Sequence, residues 1–151
     1  MSIACAATFV PLIVSASPAA AACAPNPNAL SIRQMIVTGT TGSEQYDVLF
    51  LGRVVRLHDL GGDTGGPTLA MVHVKAHPVG FAPRGARVLF YKPPPGVGVS
   101  ENFVFKPGRH YAVVAHRMRS GVFAFDGACG QTAKLSQERM RRLIRLYRHQ
   151  T

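Results

Sequence analysis

No charged side chain occurs among the first 22 residues of this 151-residue chain. The stretch is largely apolar from Ile3 to Val14, and Ala20 and Ala22 put small residues at the positions that signal peptidase reads. Pro11 and Pro18 interrupt it, which leaves it short of the ~20 continuous apolar residues of a membrane-spanning helix. The pattern predicts a secretory signal peptide over residues 1–22 and one mature domain over residues 23–151, secreted or periplasmic.

Carboxylates are also scarce, with 7 Asp+Glu against 17 Lys+Arg and a net charge of +10, all of it carried beyond the leader. Acid–base catalysis by paired carboxylates finds no foothold. Asp59, Asp63, Glu44 and Glu101 fall in expected loops or turns, and Asp126 before Gly127 is turn chemistry. No nucleophile-elbow serine motif occurs. Gly96-Val97-Gly98 follows a proline run and opens no helix, so it is not a phosphate loop. The chain therefore reads as non-enzymatic, without a cofactor. The 6 histidines supply no metal site. His73 and His77 share a strand face but stand roughly 13 Å apart at strand rise, and they read as exposed strand residues, as do His110 and His116.

Cysteine is limited to three residues. Cys5 leaves with the leader, and Cys23 and Cys129 remain at the two ends of the domain. In an oxidising compartment the pair is expected to form a disulfide, whose loop of roughly a hundred residues would contribute on the order of 4–5 kcal/mol in the chain-entropy model. The competing use of Cys23 is acylation as the first residue of a lipid-anchored protein, although Ala20 stands where such proteins usually carry a larger aliphatic residue.

Short strands dominate the remainder. Ala29 to Val37 fits a short helix. Tyr46 to Leu57 is rich in β-branched and aromatic residues, with Gly52 marking a bulge. Leu69 to Val79 alternates, with Ala70, Val72, Val74 and Ala76 on one face. Arg87 to Tyr91, Asn102 to Phe105, Tyr111 to Ala115 and Val122 to Phe125 complete the set, with a turn at residues 106–109. Ser136 can cap a helix to His149 whose apolar stripe is Met140, Leu143, Ile144 and Tyr147. The pattern predicts a mainly β fold, an OB-like barrel of five to six strands with a C-terminal α-helix and a short N-terminal helix.

Five segments occur in a telling order: residues 47–55 (Asp-Val-Leu-Phe-Leu-Gly-Arg-Val-Val), residues 87–92 (Arg-Val-Leu-Phe-Tyr-Lys), residues 105–115 from Phe105 through Gly108 and Tyr111 to Ala115, residues 121–125, and Cys129-Gly130-Gln131-Thr132 with Leu135. This set resembles the netrin-like domains, in particular exported bacterial proteins similar to the tissue inhibitors of metalloproteinases. The resemblance implies an OB-like five-stranded barrel flanked by helices. It also implies a protein-binding role, with an exported metalloprotease or another envelope protein as partner. In those inhibitors the first Cys of a Cys-x-Cys start offers its amine and carbonyl to the protease zinc. Here one Cys is available. Cys23 would take that role, with Ala24, Pro25 and Asn26 along the protease cleft. Alternatively Cys23 matches the second Cys, with Ala21 in place of the first. Asn102 stands where a Cys-Gly pair is common.

The charge supports a different binding mode. Arg139, Arg141, Arg142, Arg145 and Arg148 cover the polar side of the C-terminal helix, and Arg141, Arg142, Arg145 and Arg148 are the candidate contacts to an anionic membrane surface or polysaccharide. Stacking of nucleic-acid bases would need aromatic platforms. Tyr91, Phe103 and Phe105 are the candidates, but Phe103 and Phe105 alternate as core residues do, and export argues against nucleic acid as the partner.

Overall fold

The computed structural model describes residues 28–62, 65–94, 104–125 and 131–151. The elements run α1 (Ile32–Thr38), β1 (Val48–Asp59), β2 (Gly66–Val79), β3 (Gly85–Lys92), β4 (His110–Arg117), β5 (Phe123–Ala124), β6 (Ala133–Leu135) and α2 (Gln137–Arg148). The expected leader, Cys23 to Asn26, Asn102, Phe103 and Cys129 lie outside the described residues.

The strands close on themselves. β1 pairs with β2, β2 with β3, β3 with β5, β5 with β4, and β4 returns to β1. Every pairing is antiparallel except β3 with β5, where Val88 and Leu89 run beside Phe123 and Ala124. The result is a closed five-stranded mixed barrel, the OB-like architecture that the strand pattern predicts, with β6 added on the outer side of β4.

Closure depends on β1 serving two neighbours. Val48–Arg53 pairs with β4, while Leu49–Asp59 pairs with β2. A strand in that position must coil strongly, and β-bulges supply the coiling. Register shifts fall between Leu49 and Leu51, between Leu51 and Gly52, and between Val54 and Arg56. At Gly52 the neighbouring strand comes so close that a Cβ would lie 2.5 Å from Val72 Cγ1 and 2.9 Å from the His73 carbonyl oxygen. Glycine is required there by proximity, and the bulge expected at this mid-strand glycine is present as the shift between Leu51 and Gly52.

The interior mixes small and large side chains. Ala70, Ala86, Ala112 and Ala115 are buried beside Phe50 and Phe123, whose rings meet edge to face at 5.2 Å. Filling a small barrel with such a mix is what its taper demands. In β2 the inward residues Thr68, Ala70, Val72, Val74 and Ala76 are buried, while Leu69, Met71 and His73 are half-exposed on the outer face. The alternation read from the sequence is the alternation of the strand.

Two segments depart from expectation. Val104 and Phe105 belong to no strand. The Tyr111 hydroxyl takes over part of the backbone pairing there, accepting from Lys106 N at 2.9 Å and donating to Val104 O at 3.3 Å. The Phe105 ring still turns inward against Phe90, Tyr111 and Phe125. The other departure is β6, three residues pairing with His110–Ala112, too short to show a period in the sequence.

The helices are set by their caps. Ser31 and Gln34 form a reciprocal capping box, so α1 starts at Ile32, three residues after the position expected from periodicity, and Gly39 closes it in the left-handed conformation. Ser136 caps α2 by accepting from Arg139 N at 3.1 Å. Met140 and Leu143 are buried, and Ile144, Leu146 and Tyr147 pack at the margin of the core.

Candidate anion-binding surface

α2 spends its apolar stripe on the barrel, so its remaining faces point to solvent. Arg139, Arg141, Arg142, Arg145 and Arg148 are all exposed. Glu138 sits in the first turn and pairs with Arg142 one turn later. Among the described residues the other four arginines have no carboxylate partner. Arg145 and Arg148 lie in the last turn, where the helix dipole favours cations and leaves those side chains in a stable helix without a counter-ion. All four sequence-predicted arginines, Arg141, Arg142, Arg145 and Arg148, are therefore displayed on one helix.

The tertiary structure adds a second element. α1 packs beside α2, and between them lies a cleft of about 500 Å³ bounded by Ser31, Arg33, Arg139, Arg142, Leu143 and Leu146. Three guanidinium groups from two helices border this space. The sequence pattern did not mark Arg33, because nothing in the local pattern states that residues 32–38 lie against residues 137–148.

The positive field extends onto the barrel. His110 is half-buried, and burial holds its imidazole below the usual histidine value near 6.5, helped by the charges of Arg53, Lys75 and Arg141. Cations from β1, β2 and α2 thus converge on one position of β4. His73 is also held below 6.5, chiefly by Lys75, with desolvation and Arg84 adding to it. The histidines expected as exposed strand residues are in fact half-buried: His73, His77, His110 and His116. Cross-strand neighbours cover their flanks, and His77 also packs edge to face on Phe81 at 5.6 Å. Among the described residues, no group of three His, Cys, Asp or Glu could hold a metal ion, and no helix is long and apolar enough to cross a membrane.

The aromatic platforms resolve differently. Phe105 is 2% exposed and belongs to the core, as its alternation suggested. Tyr91 is 68% exposed at the end of β3. The protease-binding candidates Cys23, Ala24, Pro25 and Asn26 and the expected Cys23–Cys129 bridge lie outside the described residues. No protein-family model matches the chain, and no curated protein matches its sequence.

Proposed function

We propose that this chain is an exported, non-enzymatic binding domain that attaches to a polyanionic partner outside the cytoplasm through the arginine face of α2. The observation that carries this reading is the exposure of five arginines on a single helix whose apolar side is already occupied by the barrel. Guanidinium groups suit this task because they stay charged and bind carboxylate, sulfate or phosphate oxygens in pairs.

The test is retention of the full chain on immobilised acidic polysaccharide and on anionic vesicles as salt is raised. Screening of exposed charges predicts release by moderate salt. Replacing Arg141, Arg142, Arg145 and Arg148 together by Ala is expected to lower the salt needed for release. Unchanged retention overturns the reading.

Binding of an exported metalloprotease through Cys23, Ala24, Pro25 and Asn26 is the second reading. It draws support from the closed OB-like barrel accompanied by two helices, the fold that the ordered netrin-like motifs imply. N-terminal sequencing and intact mass of the exported protein decide it. A chain starting at Cys23 with a free amine and lacking two hydrogens keeps the zinc-binding terminus and the Cys23–Cys129 bridge. Acylation of Cys23 ends the inhibitor reading and makes the protein lipid-anchored.

A further inference from the structure

The outer face of the barrel carries a second feature. A groove of about 380 Å³ lies over β1 and β2, lined by Val55, Arg56, Met71, His73, Arg84 and Gly85. A β-bulge of β1 borders it. Val54 stands opposite Val72 and Arg56 opposite Met71, so Val55 is the extra residue of β1. Val55 follows the inward Val54 and faces outward, 61% exposed, and the bulge brings the next residue, Arg56, to the same outer face. Bulges that re-aim a side chain are concentrated beside binding sites. The opposite rim is fixed as well, since Val74 N donates to Arg84 O at 2.9 Å just before β3 begins.

The chemistry of the groove is asymmetric. Val55 and Met71 provide an aliphatic floor. Arg56 and Arg84 stand exposed on its rims. The ion pairs among the described residues, Asp59 with Lys92 and Glu138 with Arg142, involve neither arginine. An apolar floor between two guanidinium groups is complementary to a ring that has a C–H face and an anionic substituent at its edge. The lining holds no Phe, Tyr or Trp, and its one ring is the His73 imidazole, a small platform for a nucleic-acid base. Arg53 and Lys75 are exposed on β1 and β2, and Lys75 acts both on His73 in this groove and on His110, which Arg141 of α2 also reaches. Cations spread over this face and α2 suit a polymer with repeated anions better than a single anionic group.

We propose that the groove of Val55, Arg56, Met71 and Arg84 is a subsite for an acidic sugar, a uronate ring of an anionic polysaccharide that continues along the basic surface to α2. The C–H face of the ring lies on Val55 and Met71, and its carboxylate pairs with Arg56 or Arg84. This deepens the reading of α2 as a polyanion-binding helix, and rests on it for the course of the chain beyond the groove.

The test uses the full chain with polygalacturonate as probe, and neutral dextran, phosphatidylglycerol vesicles and a thymidine oligonucleotide as comparisons. Binding is followed by the methyl resonances of Val55 and Met71 and by calorimetry. Polygalacturonate is expected to shift both sets of methyl signals, and dextran to leave them unmoved. Arg56→Gln with Arg84→Gln, both at exposed positions, should weaken polygalacturonate binding roughly tenfold or more at unchanged thermal stability. Val55→Asp, which places a negative charge on the floor, should do the same. Equal binding by these variants overturns the subsite, as does movement of the methyl signals only by vesicles or by the oligonucleotide. If the α2 alanine variant still binds polygalacturonate with full affinity and full Met71 shifts, the subsite stands and the α2 reading fails. If that variant loses binding while the Arg56/Arg84 variant keeps it, the α2 reading stands and the subsite fails.

Discussion

The hydroxyl of Thr132 serves both backbone groups of Val114, accepting from its N–H at 3.0 Å and donating to its carbonyl at 3.2 Å. β6 begins only at Ala133, which pairs with Ala112, so the side chain of the residue before it extends the pairing of β4 two residues further, to Val114. Both residues are buried, and water is not available to replace the contacts. Thr132→Val keeps the shape and removes both bonds. It is expected to cost about 1–3 kcal/mol in urea unfolding, with Thr132→Ser close to the parent protein. Equal stability of the Val variant would show that β4 finds other partners.

Gly52 supplies the second prediction. A methyl group there meets both a side chain and the His73 backbone oxygen. Gly52→Ala should destabilise the barrel by roughly 1–3 kcal/mol. Pairing it with Val72→Ala relieves only the side-chain clash, so the double variant should not recover the stability of Val72→Ala alone. Thermal unfolding of the three variants checks this.

Phe105 is held outside any strand yet makes edge-to-face contacts with Phe90 at 5.1 Å, Tyr111 at 4.7 Å and Phe125 at 5.4 Å. It anchors an irregular segment to β3, β4 and the chain just after β5. Phe105→Ala is expected to cost about 3–5 kcal/mol, and Phe105→Leu distinctly less. A small effect of Phe105→Ala in denaturant titration would mean that this segment does not contribute to the cooperative core.

His73 reports the field of the outer groove. Its pKa lies below 6.5, chiefly through Lys75, with desolvation and Arg84 adding to it. A base with a lowered folded pKa favours its neutral form, so its contribution to stability is present above 6.5 and is lost as pH falls through that region. Lys75→Gln should move the His73 ring titration, read by NMR, upward toward 6.5. A bound polyanion should move it in the same direction. No change in the Lys75 variant would place the cause in burial instead.

Much of this architecture is written in local pattern. The inward alternation of β2 and the stripe of Met140, Leu143, Ile144 and Tyr147 each bury one face of one element, the β-branched and aromatic run of β1 is buried on both faces over residues 48–52, and a single-element rule reads all three. Ser31 with Gln34 carries the true start of α1, a capping signal stronger than the periodicity around it. β5 and β6 are different. Two residues pairing in parallel with Val88 and Leu89, and three pairing with His110–Ala112, are strands only because a neighbour is there to receive them.

The same division holds for the proposed binding surfaces. Sequence alone determined that the chain is strongly basic, that its last helix is amphipathic, and that its arginines fall on the polar side, because these depend on composition and on a 3.6-residue period. Only the tertiary structure decided that Arg33 meets Arg139 and Arg142 across a cleft, that a bulge brings Arg56 to the outer face beside Val55 and Arg84, and that Arg53, Lys75 and Arg141 act together on His110. The long-range pairs among these, from Arg56 with Arg84 to Arg33 with Arg142, stand 28 to 109 positions apart. Barrel closure brings them together, and closure is a property of all five strands at once, which no local period records.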